Sequence, residues 1–476
     1  MLGKIHFETL GCKLNQVESE GAASCFVKSG FTVTMAPFSA AQKSDESVIL
    51  CVVNTCTVTA KAEQKARRII RLLLLKCPLS AVVVTGCYAQ LNKDELSAID
   101  DRICVLGGQS KAKMADIPLF LMENPLLSGQ ELSSKLRAFF EEVHKNSVEG
   151  VIQSPFRLVP QNFIHHSRPS LKIQDGCNSQ CTYCRIRLAR GKSVSLQAKE
   201  VLRRVKDLEE AGHNEVVITT VNIAQYRSEW NEKSINFTDL LKLILENTKK
   251  IKIRISSLYP ELVNEEFAAV AKNDRVMPHF HISVQSGSDS ILLKMKRPYT
   301  VNAVYNACRL LKEAKKTPFL ACDIIAGFPG ETDEDFDATL KMLCDCGFTF
   351  VHAFPFSARP GTEAYKMRPM VPNSVAGTRV VALEKYSEEA KKKYIESFIG
   401  KVIPAVAETV HRPKILTNQT VIHAVTENFL HCKLVFKTGQ KIPEPGSLIN
   451  LKIIRPLNKD ELSGESDTLA ELVSES

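Results

Sequence analysis

Residues 175–186 read DGCNSQCTYCRI and place the thiols of Cys177, Cys181 and Cys184 within a span of eight residues. Thiolates are the ligands that iron–sulfur clusters and zinc both favour. A structural zinc site takes four ligands, normally from two Cys or Cys/His pairs. Only three cysteines stand here, and the two histidines shortly upstream keep no usual zinc spacing. Three cysteines leave one iron of a four-iron cluster open, which favours a reactive site. Zinc binding and cysteines without metal are the alternatives.

This motif follows the first strand of a series in which strands and helices alternate. The predicted strands are residues 171–174, 215–221, 251–258, 279–285, 319–328 and 350–356, and the predicted helices include 195–211, 237–248, 301–314 and 333–346. Six consecutive βα units predict an open doubly wound sheet or an incomplete barrel. In both architectures ligands gather at the carboxyl ends of the strands. We place this core domain at residues 168–398.

A shorter series of the same kind precedes the core in residues 1–123. Its predicted elements are strands at 4–10, 48–54 and 81–86 and helices at 18–29 and 60–76. Short apolar strands separated by helices indicate a parallel sheet with helices on its faces. Residues 124–167, punctuated by prolines, are predicted to be a linker with one helix at 131–145.

Three cysteines of this N-terminal region occupy the same kind of position. Cys12 follows the first strand in LGCKLNQ, Cys56 follows the next in VVNTCTV, and Cys87 follows the third in VVTGCYAQ. Parallel strands bring their carboxyl ends to one edge of the sheet, so we expect these thiols to converge. Three unrelated loop cysteines are the alternative. The other cysteines of the region are expected to be small buried hydrophobic residues: Cys25, Cys51, Cys77 and Cys104.

The composition of the whole chain limits its class. The chain has 476 residues, 44% hydrophobic and 24% charged, with a formal net charge of +9. That charge permits a polyanionic partner without requiring one. The first residues show no signal-peptide pattern and the apolar runs are too short to span a bilayer, so we expect a cytoplasmic protein. Fifteen cysteines are many for a reducing compartment, so some are expected to be metal ligands.

The carboxyl-terminal part differs in composition from the two βα series. After a predicted helix at 379–399, residues 399–456 consist of short strands broken by Asn, Gly and Pro, which predicts a small antiparallel β-barrel. Residues 457–476 are rich in Ser and Glu and are predicted to be disordered. The predicted fold is therefore α/β, with an N-terminal parallel βα sheet domain, a central βα series and a small C-terminal barrel.

The CxxxCxYC arrangement at the end of the first βα strand resembles that of the radical SAM enzymes. The resemblance implies a partial (βα)6 barrel and a four-iron cluster held by Cys177, Cys181 and Cys184, with S-adenosylmethionine on the open iron. One electron from the cluster then cleaves S-adenosylmethionine to a 5′-deoxyadenosyl radical. Tyr183, the aromatic residue before the last cysteine, is implied to lie near the adenine, with simple packing as the alternative.

The stretches LGCKLNQ, NTCTVT and TGCYAQ resemble the amino-terminal domain of the methylthiotransferases. The likeness continues through HISVQSGSDSILLKMKRPYT, DIIAGFPGETDEDF and VHAFPFSARPGT. It implies a second four-iron cluster, held by Cys12, Cys56 and Cys87, that handles the inserted sulfur. It also implies two S-adenosylmethionine molecules, one donating a methyl group to sulfur and one giving the radical that abstracts the hydrogen at carbon 2 of adenine. The C-terminal barrel resembles the TRAM domain, an RNA-binding module that also docks protein substrates.

Within that family, LGCKLNQ and NTCTVT are most similar to the bacterial branch that acts on threonylcarbamoyl-adenosine beside the tRNA anticodon. The implied partners are the tRNA anticodon stem-loop and a reductant such as a flavodoxin or ferredoxin, with no membrane. Isopentenyl-adenosine tRNA and a ribosomal protein remain alternative substrates. A non-catalytic, metal-containing RNA-binding protein is an alternative of another class. Basic residues that would meet RNA phosphates, or be ordinary surface charges, are Lys61, Lys65, Arg67, Arg68, Arg71, Lys401, Arg412, Lys414, Lys433, Lys437 and Lys441.

Three positions depart from the family pattern. Arg187 stands in CRIRLARG where proline is usual, Thr220 stands where glycine is common, and Tyr259 stands where glutamate is frequent. The latter two positions are those at which S-adenosylmethionine is implied to bind, so its contacts there are open. Other polar residues predicted at strand ends, with packing or capping as the alternative role, are Asp175, Gln285, Ser286 and Asp323.

Overall fold

The computed structural model describes residues 3–125, 127–146, 155–160, 168–411, 419–437, 439–461 and 466–473. The chain divides into two compact units. The first comprises Met1–His165, Lys172–Val194 and Arg359–Tyr365, and the second comprises His166–Leu171, Ser195–Ala358 and Lys366–Ser476. Within the described ranges, no helix is long and apolar enough to cross a bilayer.

The amino-terminal part of the first unit alternates strands and helices. Its elements are β1 (Lys4–Thr9), α1 (Lys13–Lys28), β2 (Thr32–Thr34), β3 (Val48–Thr55), α2 (Ala60–Lys76), β4 (Ala81–Gly86), α3 (Cys87–Leu91), α4 (Lys93–Ser97), β5 (Ile103–Val105), α5 (Ile117–Glu123) and α6 (Gly129–Asn146). A 3₁₀ helix at Gly108–Asp116 precedes α5.

The five strands form one parallel sheet in the order β2-β1-β3-β4-β5. Alternate residues of β3 serve two different cores, with Leu50 and Val52 on one face and Cys51 and Val53 on the other. A strand buried on both faces needs an uninterrupted apolar run, and VILCVV supplies it. The parallel sheet predicted for this region is confirmed.

Helix α2 shows why the local sequence folds as it does. The Thr59 side chain accepts a hydrogen bond from the backbone N–H of Ala62 and so caps the first turn. Ala66, Ile70 and Leu73 are spaced three or four residues apart and are buried against the sheet. The opposite face of the helix is left to charged residues.

Helix α6 was expected inside a linker, and the structure shows it packed into the first unit. Leu132, Leu136 and Phe140 recur every fourth residue and join the core on one face of the sheet. The apolar stripe of this helix is therefore buried, which a linker helix would leave exposed.

The remaining elements follow in chain order. They are β6 (Ser170–Lys172), β7 (Gln174–Asp175), α7 (Ile186–Arg190), β8 (Val194–Ser195), α8 (Ala198–Glu210), β9 (Glu215–Thr219), β10 (Ser228–Trp230), β11 (Lys233–Ile235), α9 (Phe237–Asn247), β12 (Lys252–Ile255), α10 (Glu265–Ala271), β13 (His279–Gln285), α11 (Asp289–Lys294), α12 (Val301–Ala314), β14 (Phe319–Ala326), α13 (Asp333–Cys346), β15 (Phe350–Pro355), α14 (Asn373–Glu396), β16 (Val402–His411), β17 (Gln419–Thr426), β18 (His431–Lys437), β19 (Leu448–Pro456) and β20 (Thr468–Leu472).

The central strands confirm the prediction of a partial βα barrel. They form two three-stranded sheets, in the orders β6-β9-β12 and β13-β14-β15. A parallel bridge between Leu258 and Ile282 lies where the two sheets adjoin. The pairs β9–β12, β13–β14 and β14–β15 are parallel, and helices connect successive strands, as in an open barrel.

The C-terminal strands form a closed barrel in the order β16-β17-β18-β20-β19. The small barrel is confirmed, although the β18–β20 pair is parallel rather than antiparallel. The prediction that residues 457–476 are disordered is wrong for the part that the structure describes. β20 pairs with both β18 and β19 and buries Ala470 in the barrel core. The backbone hydrogen bonds of β20 therefore order a segment for which the Ser- and Glu-rich composition predicts disorder.

Within the second unit, a buried arginine connects this barrel to strands β9 and β12 of the βα series. Arg254 of β12 donates to both carboxylate oxygens of Glu215 on β9, at 2.6 and 3.0 Å. The same guanidinium donates to the carbonyl oxygens of Thr426 and Glu427, at 3.2 and 3.1 Å. One side chain thus satisfies acceptors from both β structures.

Candidate functional site

The loop that carries the compact cysteine motif begins at Gly176, directly after β7. Gly176 has a φ of +67°, and a Cβ there would lie 2.0 Å from the carbonyl oxygen of Lys192. Only glycine fits this turn. The N–H of Cys177 donates to the carbonyl oxygen of Gly191 at 3.1 Å. The start of the loop is therefore held against the chain that follows α7.

Two sulfur atoms of this loop accept backbone hydrogen bonds. The N–H of Ser179 donates to Sγ of Cys177 and the N–H of Ile186 donates to Sγ of Cys184, both at 3.4 Å. Cys177 is buried, and Cys181 and Cys184 are half-buried. Hydrogen bonds to ligand sulfur atoms tune iron–sulfur clusters. The donor set of these three cysteines, called the loop triad below, fits a four-iron cluster.

A cavity of about 90 Å³ lies beside Cys181 and Cys184. Its wall includes Arg187 and residues 361–363. Arg187, which replaces the usual proline, is exposed and brings a positive charge to the cavity next to the loop triad. Tyr183 is half-buried in the same loop, and its position near an adenine stays a prediction.

The dispersed cysteines lie at the carboxyl ends of three neighbouring parallel strands. Cys12 follows β1 and immediately precedes α1, Cys56 follows β3, and Cys87 follows β4 as the first residue of α3. The topology therefore places them at one edge of the sheet, as the strand-end argument predicts. We call these three residues the edge triad. Of the remaining cysteines in this region, Cys51, Cys77 and Cys104 are buried as expected, and Cys25 is half-buried.

Two glycines allow the loops of the edge triad to approach one another. A Cβ on Gly11 would lie 2.6 Å from Cβ and 2.9 Å from Sγ of Cys56. A Cβ on Gly86 would lie 2.2 Å from the carbonyl oxygen of Thr55. Both glycines have positive φ, +96° and +101°. The glycine before each of the other two cysteines is therefore packed against the segment that carries Cys56.

The surroundings of Cys56 disfavour its free thiolate. Burial, reinforced by the neighbouring thiols of Cys12 and Cys87, raises the pKa of Cys56 to about 11, while the charge of Arg190 acts in the opposite direction. The thiolate is the form that binds metal. The arrangement thus suits cysteines whose negative charge is matched by a bound cation.

A group of buried charges connects the two cysteine-bearing segments. Arg190 of α7 donates to Glu18 of α1 at 3.0 Å and to Asp175 of β7 at 2.9 Å. Lys172 donates to Glu18 at 2.7 Å, and Lys111 forms an ion pair with the other oxygen of the same carboxylate. Burial alone favours the neutral form of Glu18, but the three cations hold its pKa well below the ordinary value. We call these five residues the Glu18 ion group.

A second group of charges, the Glu63 ion group, links the segment after Cys56 to the segment after Cys184. Oε1 of Glu63 accepts from Thr57 at 2.5 Å and from Arg185 at 3.1 Å, and it also pairs with Arg359. Burial, followed by repulsion from Arg359, lowers the pKa of Arg185. Within the described ranges, Nε of each arginine is buried without a hydrogen-bond partner. Two guanidinium groups therefore share one carboxylate.

Sequence reasoning missed both ion groups except for Asp175, which was expected to line a strand-end cavity. The structure shows it buried and paired with Arg190 and Lys172. The only indication of these ion groups in the sequence is that charged residues lie next to the cysteine motifs.

Other strand-end candidates lie in the second unit. Oδ2 of Asp323 lies 3.0 Å from Nε2 of His281. Gln285 ends β13 with a φ of +72°. The hydroxyl of Ser286 accepts from the N–H of Ser288 at 3.2 Å, which is a local capping contact. The side chains of Asp323 and Gln285 are partly exposed.

The two departures predicted at the S-adenosylmethionine site also belong to this unit. Thr220 is buried directly after β9, and its hydroxyl has no hydrogen-bond partner among the described residues. The ring of Tyr259 lies 4.8 Å from the guanidinium carbon of Arg297. Tyr259 is therefore occupied by a cation–π contact, whereas the Thr220 hydroxyl is left to a ligand or a water molecule.

The basic residues predicted to meet RNA are mostly exposed where the structure describes them. On α2, Arg67 is the exception, because it donates to the Tyr88 hydroxyl at 2.5 Å and to Glu95 at 2.9 Å. Arg412 and Lys414 lie outside the described residues. The exposed members are Lys61, Lys65, Arg68, Arg71, Lys401, Lys437 and Lys441, and Lys433 is half-buried.

The described part of the chain has no cluster of side chains suited to a single metal ion. No three or more His, Cys, Asp and Glu side chains there are arranged around one ion. The histidines at 165 and 166, the nearest alternative ligands to the loop triad, lie outside the described residues. The cluster assignments rest instead on the loops and sulfur environments described above.

The family comparisons agree with this geometry. The model of the Radical SAM superfamily matches residues 171–343, which contain the loop triad and the βα series. The model of Uncharacterized protein family UPF0004 matches residues 4–107, which contain the edge triad. The chain is therefore a radical SAM enzyme, a class that works with a four-iron cluster and S-adenosylmethionine.

Similar curated proteins indicate to which family of radical SAM enzymes the chain belongs. The threonylcarbamoyladenosine tRNA methylthiotransferase MtaB of Treponema pallidum is 42% identical over 94% of this chain and 98% of its own length. The enzyme of the same name from Bacillus subtilis is 33% identical over 95% and 94%. A tRNA-2-methylthio-N(6)-dimethylallyladenosine synthase from Porphyromonas gingivalis is 29% identical over 82% of each chain. The chain belongs to the MtaB family of radical SAM methylthiotransferases.

Proposed function

We propose that this chain inserts a methylthio group at carbon 2 of threonylcarbamoyl-adenosine, next to the anticodon of tRNA. The observation that carries the proposal is that both cysteine triads belong to one compact unit. A radical enzyme that inserts sulfur needs the two sites close together. The likeness to MtaB relatives over nearly the whole chain supports the choice of nucleoside.

The proposed cofactors are two four-iron clusters and S-adenosylmethionine. The loop triad would hold one cluster and the edge triad the other. When bound, the first supplies the electron that cleaves S-adenosylmethionine, and the second carries the sulfur to be inserted.

Backbone and side-chain groups of this chain stabilise negative charge on the sulfur atoms of the loop triad. The backbone N–H groups of Ser179 and Ile186 donate to thiolate sulfur, and Arg187 adds a positive charge at the cavity beside it. We assign Tyr183 to the adenine of S-adenosylmethionine. The protein's task is to place cofactor and substrate and to exclude water that would quench the radical.

The proposed macromolecular partners are the tRNA anticodon stem-loop and a reductant protein such as a flavodoxin or ferredoxin. The exposed basic side chains of α2 begin five residues after Cys56 and suit phosphate contacts beside the edge triad. The C-terminal barrel, TRAM-like from residue 399, presents further exposed lysines. We assign residues 1–123 to the cluster domain, against which α6 packs, and residues 168–398 to the radical SAM core.

Mass spectrometry of tRNA nucleosides tests the substrate. Cells that lack this protein are expected to lose methylthio-threonylcarbamoyl-adenosine and to accumulate its unmethylthiolated precursor. If that nucleoside is unchanged while methylthio-isopentenyl-adenosine disappears, the isopentenyl branch is correct. If neither changes and a ribosomal protein loses a methylthio group, the protein-modifying branch is correct.

Iron analysis tests the two clusters. Anaerobic reconstitution is expected to give about eight irons per chain, whereas a non-catalytic protein with structural metal would hold zinc. Cys181→Ala should lower iron by about half and abolish formation of 5′-deoxyadenosine. Cys25→Ala, which removes a half-buried cysteine outside both triads, is the matched control. Retained 5′-deoxyadenosine formation in Cys181→Ala would overturn the assignment of the loop triad.

A further inference from the structure

The Glu18 ion group contains more positive than negative charge. Its three cations, Lys111, Lys172 and Arg190, face two carboxylates, those of Glu18 and Asp175. Each of the five side chains is at most 10% exposed. A surplus charge in a protein interior is costly unless an opposite charge lies nearby. The group therefore carries a net positive charge, which can stabilise an anion that lies next to it.

Two cations of this group contact the first turn of α1, which begins directly after Cys12. The second terminal nitrogen of Arg190 donates to Oδ1 of Asn15 at 2.7 Å, and Nζ of Lys111 donates to the same oxygen at 3.1 Å. Five hydrogen bonds from Nη1 and Nη2 to Glu18, Asp175 and Asn15 fix the direction of the guanidinium.

The backbone beside Arg190 also lies close to the backbone beside Cys87. Helix α7, which ends at Arg190, contacts α3, which begins at Cys87. A Cβ on Gly108 would lie 2.8 Å from the carbonyl oxygen of Gly86 and 3.7 Å from that of Ala189. One glycine thus separates the residues that precede Cys87 and Arg190. The charge of Arg190 opposes the rise in the pKa of Cys56, and the neighbouring thiols of Cys87 and Cys12 contribute to the raised pKa of Arg190.

We propose that Arg190 is a positioning residue that supplies the counter-charge for the thiolates of the edge triad and raises the reduction potential of the cluster held there. The inference rests on the proposed second cluster. Adding one electron makes such a cluster more negative, so a fixed cation nearby stabilises the reduced form more than the oxidised form. The Asp175 and Glu18 contacts, which come from the segments of both triads, hold that cation in place.

The test isolates the edge triad. Cys177→Ala, Cys181→Ala and Cys184→Ala are combined so that iron binds only at the other site, with about four irons per chain expected after anaerobic reconstitution. Arg190→Met and Arg190→Lys are then made in this parent. Each protein is titrated with dithionite, whose S–S bond breaks to give two sulfur dioxide radical anions; each radical anion donates one electron to a cluster and is oxidised to sulfite. The reduced cluster is measured by electron paramagnetic resonance.

At a fixed solution potential, Arg190→Met is expected to lower the ratio of reduced to oxidised cluster by about tenfold. Arg190→Lys, which keeps the charge, should stay close to the parent. Arg203→Met removes an arginine that is 58% exposed on α8 and should change the ratio less than twofold. Glu18→Gln removes a negative charge from the same buried group and should shift the ratio in the opposite direction.

The outcomes separate this inference from the proposed function. A parent that binds no iron would refute the second cluster, and the inference with it. Iron bound at an unchanged potential in Arg190→Met would refute the role of Arg190 alone. If Arg190→Met does not take up iron, the reduction potential of Glu18→Gln tests the inference instead. A potential that is unchanged or lowered in Glu18→Gln refutes the inference.

Discussion

Replacing Gly86 by alanine tests whether the close approach of β3 and β4 shapes the edge triad. Gly86 has φ 101° and ψ −169°, a region that is essentially restricted to glycine and costs other residues about 1–3 kcal/mol. The added Cβ would also lie 2.2 Å from the carbonyl oxygen and 2.5 Å from the nitrogen of Thr55. These are backbone atoms of a buried strand, so relief requires a strand shift that costs about 1–3 kcal/mol more. We expect Gly86→Ala to lower the free energy of unfolding by about 3 kcal/mol or more.

Thermal unfolding and iron analysis measure the effect. A loss of about 3 kcal/mol corresponds to a fall of about 6–12 °C in Tm for a unit of this size. The same variant should hold less iron at the edge triad, because Cys87 follows Gly86 directly. Gly212→Ala is the matched control, since Gly212 also has a positive φ, +86°, but an added Cβ meets nothing within 4 Å. If the two variants lie within about 1 kcal/mol of each other and bind equal iron, the reasoning from close approach is refuted.

Two further predictions concern buried carboxylates. Burial raises the pKa of Glu20 to about 7 from an ordinary value of 4.5. The folded state therefore retains a proton that the unfolded chain releases, and stability is lost as pH rises from 4.5 to 7. Glu20→Gln should match the parent near pH 4.5 and exceed it by up to about 3 kcal/mol at pH 8 in urea unfolding. An equal difference at both pH values would contradict this. Glu63→Gln removes the carboxylate shared by Arg185 and Arg359 and should cost about 3 kcal/mol in the same assay. Adding Arg185→Met should recover part of that loss, and strict additivity of the two changes would contradict the shared contact.

The edge triad was predictable from sequence because its geometry depends only on strand order. Cys12, Cys56 and Cys87 each follow an apolar strand, and parallel neighbours end at the same edge. Strand and helix boundaries were also accessible where periodicity was strong, as for α2 at Ala60–Lys76 and α12 at Val301–Ala314. These features depend on local patterns, which a single sequence contains.

The buried ion groups were not predictable, because they depend on contacts between residues that are distant in the sequence. Glu18, Lys111, Lys172 and Arg190 are far apart in the chain, and each alone is typical of a solvated surface charge. Only the fold brings them together. Strand β20 was missed because five residues, TLAEL, give too short a pattern, and their order comes from pairing with β18 and β19.

The position of β20 in the barrel has a consequence for synthesis on the ribosome. In the first unit, every strand of the parallel sheet has been made once residue 105 is in place. In the barrel, β18 and β19 are both made before β20, the strand that lies between them. Until residue 472 has left the ribosome, each of these strands presents an unpaired edge that invites association with other chains. The C-terminal barrel therefore keeps unpaired strand edges until its last described strand has been made.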